Sequence, residues 1–392
     1  MSTASDPLAV LTECFGPGAT PSSISVPGRV NLIGEHIDYH NLPVLPMAIP
    51  RRVRAVFRPN GRPLIRAASL DGYGVREIDW TPRLDPAPAG DWANYILAAA
   101  QAVRDRWGLD RGIDAAVVSD LPPAAGLSSS SALMTAFTLA LLEVNGVRPA
   151  FEELMEVLPE AEYFVGTRGG GMDHAAVLES RAGCALFVAF APLTATPVRI
   201  PDDWTFLVAH SLTHAEKSGA LRAEYNARRA AGTRALARLG FKSYAEAISG
   251  RSFEQLRLLA APLDGEAGRA FLHVAGEALR VGEAVRAMSG AGASRFAALL
   301  TESHASARDL LRISCPALDR LVECALQAGA PGARLTGAGF GGCAIVFCPR
   351  SGRPRIREEL VRLFYSDRPG FDPGNHLIDA EPAAGALHIG DH

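Results

Sequence analysis

Leu121-Pro-Pro-Ala-Ala-Gly-Leu-Ser-Ser-Ser-Ser-Ala132 is a proline- and glycine-containing loop that ends in four consecutive serines. The stretch that follows, Ala132-Leu-Met-Thr-Ala-Phe-Thr-Leu-Ala-Leu-Leu142, is almost wholly apolar and holds no proline or glycine. Together they read as a loop opening into a buried helix with serines at its start. Unpaired backbone N–H groups and the positive end of the helix dipole meet at such a terminus. That makes it a natural phosphate site. Serine hydroxyls add donors and a candidate metal ligand. The plainer reading is a cap on a core helix. One serine suffices for a cap, and four stand here after Gly126.

On either side of this loop, strand-like and helix-like segments alternate. Ile24–Val26, Arg52–Phe57 and Ile113–Val118 are expected as strands, and Trp92–Val103, Ala132–Glu143 and Phe151–Phe164 as helices. Cys184–Phe190 and Trp204–His210 are strand-like again. The pattern is mostly helical from Ala215 to Arg312 and returns to strand over Gly341–Phe347. The expectation is an α+β protein of two domains, 1–200 and 201–392, with the boundary near Pro197–Asp203. At 392 residues the chain is long enough for a substantial core in each.

The net charge of −3 implies no general attraction to nucleic acid. No apolar run approaches the length of a membrane span, and Asp6 and Glu13 interrupt the N-terminal stretch, unlike a signal peptide. The six cysteines show no CxxC pair, which fits a reducing cytoplasm. Lys217 and Lys242 are the only lysines, so a phosphate-binding lysine would have two candidates, neither in a glycine-rich loop.

Three more segments carry chemistry. Pro27-Gly-Arg-Val-Asn-Leu-Ile-Gly-Glu-His-Ile-Asp-Tyr39 packs Arg29, Asn31, Glu35, His36 and Asp38 beside two glycines. A metal site from Glu35, His36 and Asp38 is conceivable. Strand alternation would put Glu35 and His36 on opposite faces, which argues against a shared ion. The same groups suit recognition of sugar hydroxyls, because carboxylates accept hydrogen bonds. An ordinary polar loop is the plain alternative. Gly166-Thr-Arg-Gly-Gly-Gly-Met-Asp-His174 lets backbone approach a ligand and offers Asp173 as a base or orienting carboxylate, with Glu162 nearby in sequence. Arg334-Leu-Thr-Gly-Ala-Gly-Phe-Gly-Gly-Cys343 is glycine-rich but precedes a strand and opens no helix, so it is not a dinucleotide fingerprint. A G-x-x-x-x-G-K-[ST] phosphate loop is absent.

Taken in order, P-G-R-V-N-L-I-G-E-H, G-L-S-S-S, G-G-G-M-D and T-G-A-G-F-G-G resemble the GHMP small-molecule kinases, and within them the galactokinase branch. Trp92-Ala-Asn-Tyr95, Tyr225-Asn226, Ser303-His304 and Ser314-Cys315-Pro316 add further matches, so the resemblance runs from about Val26 to about Gly385. It implies an N-terminal domain like ribosomal protein S5, a ferredoxin-like C-terminal domain, and an active site in the cleft between them. It also implies an ATP- and Mg²⁺-dependent sugar 1-kinase acting on D-galactose. N-acetylgalactosamine and L-arabinose are alternative substrates, and an inactive sugar-and-ATP sensor is the non-enzymatic alternative. Sugar and ATP would be its partners, with no nucleic acid or membrane, as a monomer or weak dimer.

By the same resemblance, Pro122, Gly126, Leu127, Ser128, Ser129, Ser130 and Ser131 wrap the ATP phosphates, and Trp92 and Asn94 build the adenine pocket. A buried core tryptophan is the competing reading of Trp92. Ser130 and Glu162 would meet Mg²⁺. Asp173 would accept the proton of the sugar C1 hydroxyl, with Arg29 setting its charge state. Glu35, His36, Asp38, Gly170 and Tyr225 would bind the sugar, and the loop carrying Gly337, Gly339 and Gly341 would close the site. The chain departs from the family pattern at Ile37, His40 and His174, which puts the sugar's identity in question, and at Ala124 and Ser131 in the serine loop.

Overall fold

The computed structural model describes residues 6–122, 125–166, 169–213, 219–290 and 292–389. Ala124 and Lys217, singled out above, and Thr167 and Arg168 of the third motif lie outside them. After helix α1 (Pro7–Phe15), strands β1 (Ser22–Ile33) and β2 (Leu45–Pro59) form a long antiparallel pair. β3 (Leu64–Ser69), β4 (Gly74–Asp79) and β5 (Ile113–Ser119) complete a five-stranded sheet in the order β1-β2-β5-β3-β4. Only β3 and β5 run parallel, and helix α2 (Ala93–Trp107) lies between them in sequence. α3 (Ser129–Val144) packs on β1 and β2 with α2 and α5 (Met172–Glu179) beside it, and α4 (Phe151–Ala161) packs on α2 and α5. A hairpin of β6 (Cys184–Phe190) and β7 (Leu193–Arg199) is tied back by a bridge between Val44 and Val188.

The second sheet is antiparallel, ordered β11-β8-β10-β9, from β8 (Trp204–His210), β9 (Gly332–Thr336), β10 (Cys343–Pro349) and β11 (Leu377–Asp379). Between β8 and β9 come α6 (Gly219–Arg238), α7 (Tyr244–Ile248), α8 (Phe253–Ala260), α9 (Gly265–Ser289), α10 (Ala293–Ser306) and α11 (Pro316–Gln327). Every residue of β8 is buried, as expected of a strand covered on both faces. One apolar core joins the sheets: Trp204, Phe206, Phe296 and Phe347 belong to the same cluster as Val30 and Leu32. The chain then returns to the first sheet, where Ala383 bridges to Ala48 and the Gly385 N–H meets the Ser180 carbonyl at 2.7 Å.

The strands and helices expected from apolar periodicity are present, and others were missed. β4 was not legible because it is a largely exposed edge strand, Gly-Val-Arg-Glu-Ile-Asp, with no apolar face. The strand expected over Ile24–Val26 runs on to Ile33, so Arg29 and Asn31 lie within β1 and not in a polar loop. The helix expected to reach Phe164 ends at Ala161, followed by a tighter turn over Glu162–Val165, with Pro159 inside its last turn.

Candidate active site

The site is assembled where β1 meets the loop before α3. At Gly28 a β-carbon would lie 2.3 Å from the Leu121 side chain and 2.8 Å from the Leu127 carbonyl, so only glycine lets the strand come this close. The Arg29 N–H then donates to the Leu127 carbonyl at 3.2 Å. The Arg29 side chain reaches Asp173, in the first turn of α5. Nε donates to Oδ1 at 2.6 Å, Nη2 lies 2.6 Å from the same oxygen, and Nη1 donates to the Gly126 carbonyl at 2.7 Å.

The other oxygen of Asp173 accepts the Ser128 hydroxyl at 2.6 Å. Ser128 is the residue that opens α3, yet its side chain makes no cap bond to the helix, so the cap reading fails for it. Burial alone would raise the Asp173 carboxyl. The Arg29 charge, the Ser128 bond and His174 hold it below its ordinary range instead.

The acceptor segment leaves β1 through a turn in which Gly34 has φ 110° and His36 φ 60°. That turn, not strand alternation, separates the polar groups. Glu35 Oε1 accepts the Gly337 N–H at 2.8 Å and lies 3.5 Å from Arg334 Nη1. His36 Nε2 donates to the Ala338 carbonyl at 3.1 Å, which leaves Nδ1 to accept the Tyr39 hydroxyl at 2.9 Å. Burial pushes the His36 imidazole down to about 3, so it stays neutral. Asp38 Oδ2 accepts the N–H groups of Gly170 and Met172 at 3.2 and 3.4 Å. Burial and then the nearby Asp173 charge push Asp38 up to about 6. The three groups diverge to three sets of partners, and among the described residues no group of three or more His, Cys, Asp or Glu could hold a metal ion. The Tyr225 ring of α6 lies 4.9 Å from His36, centre to centre.

The second sheet supplies the far wall. Gly337 and Gly339, with φ 86° and 80°, turn the chain between β9 and β10. A β-carbon on Gly337 would lie 3.0 Å from the Gly126 carbonyl, and one on Gly342 3.2 Å from the Ala125 carbonyl. Gly341 lies between them in the same loop, with φ 144°. The glycine loop is thus pressed directly onto the serine loop.

Glu162 reaches the first turn of α3, where its Oε1 accepts the Ser131 hydroxyl at 2.8 Å. Ser129 and Ser130 precede Ser131 in that turn. Pro122 begins the loop, and Leu127 is buried within it. Trp92 and Asn94 sit at the start of α2. Asn94 is occupied with the loop before it, accepting from the Ala87 N–H and donating to the Ala87 and Pro88 carbonyls. Trp92 is half-buried and donates to the Tyr73 carbonyl at 3.2 Å, so it is not an enclosed core residue.

Of the departures from the family pattern, Ile37 is buried in the apolar core. His174 faces Thr135 and Glu162, both at 3.4 Å, on the side of Ser131 and not of Asp38. His40 packs against α6, where a β-carbon on Gly232 would fall 2.4 Å from its Nε2.

Sequence reasoning assigned no role to Arg334, Glu277, His273 or Thr336. Glu277 Oε1 accepts the N–H groups of Gly34 and Glu35 and the Ser303 hydroxyl, while Oε2 takes Arg280. His273 Nε2 donates to the Glu35 carbonyl at 3.0 Å, and the Thr336 hydroxyl pairs with the backbone of Asn31. The signal for Glu277 was available: a carboxylate amid Val274, Ala275, Ala278 and Val281 on the buried face of a helix needs partners.

Comparison with known proteins agrees with this architecture. Residues 94–181 match the GHMP kinases N terminal domain, 277–367 the GHMP kinases C terminal, and 12–59 the galactokinase galactose-binding signature. The chain belongs to the GHMP kinase family. Galactokinase from Mycobacterium bovis (strain BCG / Pasteur 1173P2) is 35% identical over 343 residues, covering 87% of this chain and 92% of that one. Galactokinase from Streptomyces coelicolor is 33% identical over 384 residues, 95% of each chain. The crystal structure of Lactococcus lactis galactokinase complexed with galactose superimposes with a TM-score of 0.87 at 25% identity, covering 96% of this chain and 97% of that one. Within the family the chain is therefore a sugar kinase of the galactokinase branch. A mevalonate kinase shares the fold at 18% identity, with a TM-score of 0.63.

Proposed function

We propose that this protein transfers the γ-phosphoryl group of ATP to the C1 hydroxyl of D-galactose, giving galactose 1-phosphate and ADP. The observation that carries the reading is the Asp173 carboxylate, bonded to Arg29 on one oxygen and to Ser128 of the serine loop on the other. It lies where the donor loop and the acceptor segment converge.

Phosphoryl transfer depends on positioning and charge stabilisation more than on covalent chemistry by the protein. The first turn of α3 binds the phosphates through its helix-terminal N–H groups and serine hydroxyls. Asp38, Tyr225 and the backbone around Gly170 hold the sugar hydroxyls. Glu35 and His36 contribute to the same wall, supporting the glycine loop as well as the C6 side. Asp173 is ionised and a weak base, so it orients the C1 hydroxyl and takes its proton as the O–P bond forms. Arg29 keeps that carboxylate charged and faces the charge on the transferring group. Glu162 and the serines beside it are hard oxygen donors suited to Mg²⁺. Ser130 and Glu162 would hold the ion, which supplies neutralisation of phosphate charge. Trp92 borders the adenine. Six free thiols support the cytoplasm as its compartment.

ATP consumption across a panel of free sugars tests the reading. Turnover of galactose, reduced about 10²- to 10⁴-fold in Asp173→Asn with ATP binding retained, is the expected result. No turnover with any hexose or pentose would leave the sensor reading in its place. Preference for N-acetylgalactosamine over galactose would overturn the substrate.

A further inference from the structure

Ser128 does something that neither a phosphate ligand nor a helix cap requires. Its backbone is left-handed, with φ 59°, a conformation that costs a non-glycine residue about 1 kcal/mol. It opens α3, where a serine hydroxyl ordinarily bonds the helix's own N–H groups. No such bond is made, and the hydroxyl donates to Asp173 Oδ2 at 2.6 Å instead. Oδ1 is already taken by Nε and Nη2 of Arg29. Oδ2 is therefore the oxygen with acceptor capacity left for a substrate proton.

We propose that Ser128 is a positioning residue for phosphoryl transfer, aiming Asp173 Oδ2 at the acceptor hydroxyl and tying that aim to the donor loop. The proposal rests on the kinase reading above. The same loop that receives the phosphates then holds the base. Arg29 reinforces the link by bonding Asp173 and the Gly126 carbonyl together. A loop displaced from its phosphate-binding shape would turn the carboxylate away, so donor and acceptor geometry are set as one unit.

The test compares wild type, Ser128→Ala and Ser128→Gly by steady-state kinetics with galactose and ATP, with nucleotide binding measured directly. Alanine removes only the hydroxyl but is strained at this left-handed backbone, whereas glycine loses the whole side chain and adopts that backbone without strain, so a loss common to both reports the missing hydroxyl. Both variants should lose about 10- to 100-fold in kcat, a scale typical of misplaced catalytic groups. KM for ATP should stay within about threefold on the same argument. The acid limb of the kcat–pH profile should move to higher pH, because a bond favouring the ionised carboxylate is gone. The other groups facing Asp173, namely Arg29, Asp38, His174 and Tyr225, are unchanged by these substitutions. Full kcat in Ser128→Gly would reduce the residue to a backbone turn. A loss confined to KM for ATP would make it a donor ligand only; either result overturns the proposal alone. A wild-type protein that turns over no sugar would sink the kinase reading and this proposal together.

Discussion

Glu35 Oε1, on the turn that leaves β1, accepts the N–H of Gly337 at 2.8 Å and so joins the acceptor segment to the glycine loop of the second sheet. The same carboxylate faces Arg334, whose Nη1 also donates to the Asn31 and Leu32 carbonyls at 3.1 Å each. Both side chains are almost wholly removed from solvent. Glu35→Ala would leave a buried guanidinium short of a partner and should lower stability by about 3–5 kcal/mol. Glu35→Gln keeps an acceptor for Gly337 and should fall between that variant and wild type. Thermal and urea unfolding measure the difference. An alanine variant as stable as wild type would mean that Glu277 alone balances Arg334.

Arg29→Lys should also be costly. A lysine keeps the charge but replaces with one point-like ammonium the planar fork whose three separate nitrogens meet Asp173 and the Gly126 carbonyl, so it does not reproduce that geometry. The expected loss is on the order of 10²-fold in kcat, larger in Arg29→Ala, with ATP still bound. Steady-state kinetics alongside nucleotide titration would reveal a lysine variant of wild-type rate, which would limit Arg29 to charge alone.

Gly170 offers a steric test of the sugar side. A β-carbon there would fall 2.2 Å from the Tyr39 nitrogen and 2.6 Å from Cγ of Asp38. Gly170→Ala must therefore displace the 38–39 turn. Galactose KM should rise at least about tenfold, as for a misplaced binding group, while ATP binding is preserved. Isothermal titration with each ligand separates the two effects, and unchanged galactose affinity would remove Asp38 from the sugar site.

Asp38 predicts a pH effect with a definite sign. Burial raises its carboxyl to about 6, above the ordinary value of 3.8. The folded protein thus holds this proton more tightly than the unfolded chain. The resulting stability is full below about pH 4 and is lost as pH rises through about 6. Asp38→Asn should accordingly be more stable than wild type at pH 8, by up to about 3 kcal/mol, with the difference vanishing near pH 4. In wild type, KM for galactose should climb as pH falls below about 6, where Asp38 is protonated. A galactose KM flat from pH 5 to pH 8 (roughly the span over which a group of this pKa titrates) would count against an ionised Asp38 in binding.

Much of this was legible from short segments. The serine loop, the glycines before Met172 and the acceptor segment are contiguous, and their spacing on helix and turn follows from backbone geometry alone. Apolar periodicity located α2, α3 and β8 for the same local reason. β4 escaped because an exposed edge strand has no apolar face to betray it. Arg334 lay inside a quoted motif yet had no visible role, since its partners Asn31, Leu32 and Glu35 are 303, 302 and 299 positions away.

By itself the sequence determined which chemical groups are available and which local shapes carry them: serines opening a helix, glycines where backbones touch, and, through the family resemblance, Arg29 and Asp173 as a prospective charged pair. Only the tertiary structure decided who faces whom. It gave Asp173 Oδ1 to Arg29 and Oδ2 to Ser128, turned His174 toward Glu162, and engaged Glu35 with the glycine loop. The physical reason is burial. Once these polar groups leave water, each must find a partner, and the partner is set by which loops the two sheets press together.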